Sequence, residues 1–202
     1  MTDTVSKERA LTNVAGATVN PIDVDQCLIL TAQTNPNQLA LADSTQSFTW
    51  SALDKTLNQV ANALIESGIK PNQRIAILGS NSVNYALLFL GGLRAGICIT
   101  PLSTLASSEA LAGMINNSEA KLLFVSQDYW NLIDSITEKL TRLLPGGLKI
   151  LDGEGLNFNH TDRQSFASFI EGASTDSVDI PLSLDWGFNL IYSSGTTGLP
   201  KG

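Results

Sequence analysis

Four short, unbroken apolar runs set what this chain can fold into: Arg74-Ile75-Ala76-Ile77-Leu78, Ile97-Cys98-Ile99-Thr100, Lys121-Leu122-Leu123-Phe124-Val125, and Leu148 to Leu151. A run without polar alternation is a strand buried on both faces. Each run follows a stretch with helical spacing. Strands alternating with amphipathic helices are βαβ units, and βαβ units build a parallel sheet. The expected fold is therefore α/β, a mainly parallel sheet with flanking helices.

The helices between the runs carry their own start and stop signals. Ser51 begins the clearest one, with Asp54 three residues on as a capping partner. Leu53, Leu57, Val60, Ala61, Leu64 and Ile65 then fall on one face, and Gly68 and Pro71 stop it. Ser80-Asn81-Ser82 caps a second helix that is apolar nearly all round. Gly91-Gly92 within it costs about 1 kcal/mol per residue against alanine, which implies close packing or a bend. Ser107 opens a third helix with Leu111, Met114 and Ile115 inward, ending near Asn116-Asn117. Asp128 caps a fourth, carrying Trp130, Ile133, Ile136, Leu140 and Leu143 and stopped by Pro145-Gly146-Gly147.

Ahead of this unit, residues 1–22 lack firm periodicity and read as a loosely held arm, leaving 23–202 as the domain. Asp23 or Asp25 could cap a short helix ending before Asn35-Pro36. Leu39-Ala40-Leu41-Ala42 and Ser47-Phe48-Thr49-Trp50 read as a hairpin. Behind the fourth strand, Gly153 to Asp162 is a loop in which Asp152, Glu154 and Asp162 read as solvated acids and His160 as a surface residue. A short helix is expected within Arg163–Gly172. Ala173 to Pro181 reads as a linker, after which Trp186, Phe188, Leu190 and Tyr192 alternate into a terminal strand.

A chain of 202 residues, 43% hydrophobic and 15% charged, is globular and can bury a core. Its net charge of −7 and the lack of a basic face exclude nucleic acid as an expected partner. The start has no apolar run of a secretory signal. The most apolar stretch, Ala86 to Thr100, is interrupted by glycines and Arg94 and is no membrane span. A cytoplasmic protein is expected; oligomeric state is not legible. Cys27 and Cys98 sit in apolar segments and read as reduced, core-packed thiols without metal-ligand spacing.

The last residues carry the chemistry. Leu190-Ile191-Tyr192 runs into Ser193-Ser194-Gly195-Thr196-Thr197-Gly198-Leu199-Pro200-Lys201-Gly202. Ser193, Ser194, Thr196 and Thr197 can each donate to an anionic oxygen. Gly195 and Gly198 let backbone N–H groups close on a ligand, and Lys201 adds a full positive charge. This donor set suits a polyphosphate. It is not the ordinary P-loop: counted from Gly195, Pro200 stands where that motif needs glycine, and Gly202 stands where it needs the hydroxyl that ligates magnesium.

The stretch resembles the phosphate-loop signature of the adenylate-forming superfamily, which comprises acyl- and aryl-CoA synthetases, luciferases and peptide-synthetase adenylation domains. Phe48-Thr49-Trp50-Ser51-Ala52-Leu53 is similar to an early element of that family. Leu93-Arg94-Ala95-Gly96 with Pro101-Leu102 is similar to its second signature. The details look most like the acyl-CoA synthetase branch, which implies the N-terminal part of the large domain of such an enzyme. The resemblance further implies ATP, magnesium and a small carboxylic acid as ligands and coenzyme A as co-substrate. Ser193, Ser194, Gly195, Thr196, Thr197 and Gly198 would hold the β- and γ-phosphates, and Lys201 would act catalytically against developing charge. The family's Thr-Glu element, ribose-binding aspartate and mobile C-terminal domain lie downstream of this loop and are absent from the 202 residues. By themselves these residues are expected to bind ATP weakly or not at all. The alternatives are a non-catalytic truncated fragment or interaction module, and a phosphate-binding domain outside the superfamily.

Overall fold

The computed structural model describes residues 11–14, 17–19, 24–153, 163–183 and 185–193. They fall into two compact units, 1–54 and 55–202.

In the first unit, β1 (Leu11–Val14) and β2 (Ala17–Val19) form an antiparallel pair inside the stretch expected to be a loose arm. Helix α1 spans Val24–Thr34 and leaves Cys27 exposed, so this thiol is not core-packed as expected. The expected hairpin is present as β3 (Leu39–Ala42) and β4 (Ser47–Thr49). Asp43 closes its turn, its Oδ1 accepting from the backbone N–H of Thr45 at 2.7 Å and of Gln46 at 3.0 Å. This is the local bonding that makes Asp a turn residue. Helix α2 (Trp50–Glu66), whose residues from Lys55 on belong to the second unit, starts one residue before Ser51. Its cap is Thr49, whose Oγ1 accepts from Ala52 N at 3.3 Å, rather than Ser51.

In the second unit, the four apolar runs form one parallel sheet: β5 (Arg74–Leu78), β6 (Cys98–Pro101), β7 (Leu122–Val125) and β8 (Leu148–Ile150), in spatial order β6-β5-β7-β8. Both faces are covered, as continuous apolar strands require. Helices α4 (Ser108–Asn117) and α5 (Trp130–Asp134) pack Leu111, Met114, Ile115, Trp130 and Ile133 onto Ala76, Leu78, Leu123, Val125 and Ile150. On the opposite face lies α3 (Val83–Arg94), capped by Ser82, which accepts from Tyr85 N at 3.1 Å. A Cβ on Gly92 would stand 2.5 Å from Ile99 Cδ1, and one on Gly91 2.6 Å from Val60 Cβ. The glycine pair lets α2 and the sheet approach the helix closely.

Within α2, Leu57, Val60, Ala61 and Leu64 are fully buried, whereas Ile65 is exposed at the edge of the stripe. Its polar side is not left to solvent. Asn58 Nδ2 donates to Thr175 O at 3.0 Å, Gln59 Nε2 to Ile170 O at 2.9 Å, and Asn62 Nδ2 to Ser174 O at 2.8 Å and Asp176 O at 2.9 Å. The expected linker after residue 172 is thus pinned along a helix. Buried Arg94 joins the same net, donating to Asn58 Oδ1 at 2.7 Å.

The fourth helix departs from expectation. Instead of one helix from Asp128 to Leu143 there is a 3₁₀ turn at Gln127–Tyr129, then α5, then a second 3₁₀ turn at Thr137–Lys139. Ser135 Oγ and Thr137 Oγ1 donate back to Leu132 O and Ile133 O, competing with the helical ladder. Asn116 then holds the following backbone by its amide, donating to Lys139 O at 2.7 Å and accepting from Thr141 N at 3.0 Å. Tertiary bonds override a periodicity that by itself reads as continuous. Helix α6 (Phe166–Ile170) is capped by Ser165 and seals the β8 side of the sheet with Phe166 and Phe169. No helix among the described residues is long and apolar enough to cross a membrane.

Candidate functional site

Of the proposed phosphate-binding residues, Ser193 is described, and it is exposed. Ser194, Gly195, Thr196, Thr197, Gly198 and Lys201 lie outside the described residues, as do Glu154, His160 and Asp162. The structure therefore defines the root from which the loop departs.

That root runs parallel to β6 on its outer edge. Asn189 forms an isolated parallel bridge with Ile99, with Leu190 N donating to Ile99 O at 2.8 Å and Ile99 N to Phe188 O at 3.4 Å. Isolated bridge assignments at Asn189 and Ser193 stand in place of the full strand expected. A segment parallel to β6 leads Ser193 toward the carboxyl ends of the strands, the edge at which open parallel sheets bind ligands.

Three glycine and asparagine positions make the approach possible. Gly187 passes so close over Cys98 that a Cβ there would stand 3.0 Å from Sγ. Cys98 is buried, as expected, and burial raises its thiol pKa, with the nearby Arg74 guanidinium partly opposing. Asn72, in the left-handed region at φ 62°, turns its side chain to accept from Gly187 N at 3.2 Å. Asparagine tolerates that conformation because its short polar side chain bonds locally. Gly96, at φ +68°, lies under Trp186, where a Cβ would come 2.8 Å from Cζ3. Trp186 is a packing residue, as the sequence suggested.

Phe188 meets Phe89 of α3 edge-on at 6.1 Å between ring centroids. Tyr192 packs instead against the α4 side of the core, where its Oη donates to Asn117 Oδ1 at 2.6 Å. The bridge puts Asn189 on the α3 face with Ile99, so Tyr192 lies where the expected alternation places it and Phe188 departs from it. Burial raises the Tyr192 phenol above its ordinary pKa, with Arg74 partly opposing.

The switch point of the sheet, between β5 and β7, is filled by the protein's own side chains. Ser82 Oγ and Ser126 Oγ both donate to Asp152 Oδ2, at 2.8 and 3.0 Å, and Ser80 Oγ pairs with Tyr129 Oη at 2.8 Å. Asp152 is thus a structural acceptor rather than a solvated acid. Sequence reasoning missed Asp152, Asn72 and Asn117. Their partners lie 26 to 115 positions away, and the available signals, a Pro-Asn turn and an Asn-Asn helix end, read only as punctuation.

Comparison with known proteins agrees with this architecture. The family model described as AMP-binding enzyme matches residues 30–202. The chain therefore belongs to the AMP-binding enzyme family, the adenylate-forming synthetases and ligases. It is similar to tyrocidine synthase 3 of Brevibacillus parabrevis, 28% identical over 83% of this chain and 2% of that protein. It is also similar to the fatty acid–[acyl-carrier-protein] ligase ScoC of Streptomyces coeruleorubidus, 26% identical over 85% of this chain and 30% of that one. Among solved structures, the anthranilate CoA ligase AuaEII in complex with anthranoyl-AMP superposes with a TM-score of 0.78. Its identity is 27%, covering 87% of this chain and 33% of that one. The chain spans about a third or less of the length of these relatives.

Proposed function

We propose that this chain supplies the phosphate loop of an enzyme that activates a carboxylic acid with ATP. The observation that carries the reading is a Ser/Thr/Gly/Lys sequence that directly follows residues bridged in parallel to the β6 edge, in a member of the AMP-binding enzyme family. A solved relative that holds anthranoyl-AMP, itself an acyl-adenylate, supports it.

In the proposed first step a carboxylate oxygen attacks the α-phosphorus of ATP and the bond to the β-phosphate oxygen breaks. The products are an acyl-adenylate and pyrophosphate. The nucleophile is already ionised, so no general base is required; the step needs positioning and stabilisation of charge on the departing pyrophosphate. Ser193, Ser194, Thr196 and Thr197 donate to the β- and γ-phosphates, together with the amides at Gly195 and Gly198. Lys201 opposes the charge that develops as pyrophosphate leaves. This donor set fits the anion and contains no carboxylate, so a magnesium ion would be held through the phosphates; when bound it screens their charge. In the second step a thiol sulfur, with coenzyme A as the proposed acceptor, attacks the acyl carbon. AMP leaves and the thiol proton passes to solvent.

The test is carboxylate-dependent ATP–pyrophosphate exchange with a panel of acids, using the enzyme that carries these residues. Lys201→Ala should reduce exchange by about 10²–10³-fold, the cost typical of losing one preorganised charge stabiliser. Exchange at the normal rate in that variant would sink the assignment. The 202 residues alone should show none, because charge-assisted bonds of about 1.5–3 kcal/mol each must offset an association cost of about 4–15 kcal/mol. A second reading, an interaction module, is favoured by Phe188 and Ile191, 51% and 65% exposed at the sheet edge. It predicts a stable complex with another chain and no exchange activity in any context.

A further inference from the structure

We propose that Lys149 is a nucleophilic amine on the β8 edge that takes an acyl group from a carboxylic–phosphoric mixed anhydride. The inference stands on the surroundings of this one side chain and does not need Ser193–Lys201 to be a phosphate loop.

Lys149 puts an ammonium on the apolar face of a buried sheet. It lies in the middle of β8, whose Leu148 and Ile150 face the α4 side of the core. Alternation turns Lys149 to the opposite face, beside its register partner Phe124 on β7. Phe166 and Phe169 of α6 meet Phe124 edge-on there. Lys149 Nζ sits 5.5 Å from the Phe169 centroid and donates to Gln164 Oε1 at 2.9 Å. Gln164 is held in turn through its Nε2, which donates to Ser168 O at 3.0 Å. The partners of this ammonium are an aromatic ring and a neutral amide, and among the described residues no carboxylate pairs with it.

A ring face attracts a cation, but burial takes water from the charged form alone. Burial dominates at Lys149 and lowers its pKa. Other lysines are placed differently. Lys139 lies 2.7 Å from Glu109 Oε2, and Lys55 and Lys70 are exposed. A carboxylate or water stabilises those ammonium groups. A lysine attacks as the free amine, and an apolar setting is one way to make it available. Lys149 is half-buried rather than enclosed, so a small reagent has an approach.

In the proposed step the free Nζ attacks the acyl carbon of the anhydride. The bond from that carbon to the phosphate oxygen breaks, the phosphate leaves with the electron pair, and the proton shed by nitrogen passes to solvent. The amide formed keeps one N–H for Gln164 and carries no charge to desolvate. An acyl-adenylate is one such anhydride and a free acyl phosphate is another.

The test adds acetyl phosphate to the 202-residue chain and follows acetylation by peptide mass spectrometry. Lys149 should react several-fold faster than Lys55, Lys70 and Lys139. Gln164→Glu sets a carboxylate against Nζ and should slow Lys149 several-fold with the other lysines unchanged, whereas Gln164→Ala should not slow it. Lys149 reacting no faster than the exposed lysines, or the two Gln164 variants behaving alike, overturns the inference. The complete enzyme, given ATP and a labelled carboxylic acid, separates the two donors. Label on Lys149 that requires ATP assigns the enzyme's own acyl-adenylate, and reaction with acetyl phosphate alone assigns a free acyl phosphate. A complete enzyme without ATP–pyrophosphate exchange removes the phosphate-loop reading and leaves the acetyl phosphate result standing.

Discussion

The two edges of the parallel sheet begin alike and end differently. Each is extended by an isolated parallel bridge: Ser165 beside Ile150 on the β8 side and Asn189 beside Ile99 on the β6 side. After Ser165 the chain turns at once into α6 and buries Phe166 and Phe169, whose rings meet Phe124 at 6.3 and 5.4 Å. Around Asn189 the side chains of Phe188 and Ile191 stay largely exposed, and the segment is held by Asn72, Asn117 and backbone bridging to β6. One edge is sealed by apolar burial; the other is held by a few directional polar bonds. Apolar burial stabilises without specifying direction, whereas a hydrogen bond is weak in net terms but fixes an orientation. The candidate loop grows from the second kind of edge.

Truncation on the two sides should show the difference most strongly. Phe166→Ala, at a position 2% exposed, should cost about 3–5 kcal/mol in denaturant unfolding. Phe188→Ala, next to the opposite bridge and half exposed, should stay within about 1 kcal/mol. Equal losses would erase the distinction between a sealed and an open edge.

Gly96→Ala tests whether the open edge has any steric constraint of its own. The new Cβ would meet Trp186 and the backbone would remain at φ +68°. The expected loss is about 1–3 kcal/mol, with a shift in tryptophan emission as Trp186 is displaced. A silent substitution would mean that the 186–193 segment does not rest on the β6 edge.

The smallest effect is alkaline, and it has opposite sign on the two sides. At the open edge Tyr192 has its pKa raised by burial, and so does Tyr85 on α3. Above about pH 10 the unfolded phenol ionises first. The native state then holds more protons, and stability falls as pH rises toward the folded value. At the sealed edge Lys149, whose Nζ lies 5.5 Å from the Phe169 centroid, has its pKa lowered by burial. Between that lowered value and about 10.5 the unfolded chain binds more protons, so stability rises with pH there. Tyr192→Phe should flatten the falling limb and Lys149→Met the rising one, as read from unfolding midpoints across the alkaline range. Parallel profiles for the two variants would contradict the assigned environments.

Much of this was legible in the chain. The buried strands, the Ser82 and Ser107 caps, the hairpin of β3 and β4 and the close packing at the glycines of α3 all follow from signals within a few residues of one another. The family resemblance came from contiguous motifs and was confirmed over residues 30–202. What failed did so for a common reason. The helix expected from Asp128 to Leu143 is broken by Ser and Thr back-bonding and by the grip of Asn116. The Ala173–Pro181 stretch looked like a linker because its partners, Asn58, Gln59 and Asn62, lie more than a hundred positions away.

By itself, then, the order of residues determined that strands and helices alternate and that the sheet is parallel and buried on both faces. Hydrophobic periodicity, caps and glycines act over one or two turns of chain, so their effect can be read in place. Tertiary structure alone decided which edge is sealed, that Asp152 gathers Ser82 and Ser126 at the switch point, and that Tyr192 bonds Asn117. Those outcomes depend on polar atoms meeting across long separations, and a side-chain amide that will hold a distant backbone looks the same in sequence as one that faces water.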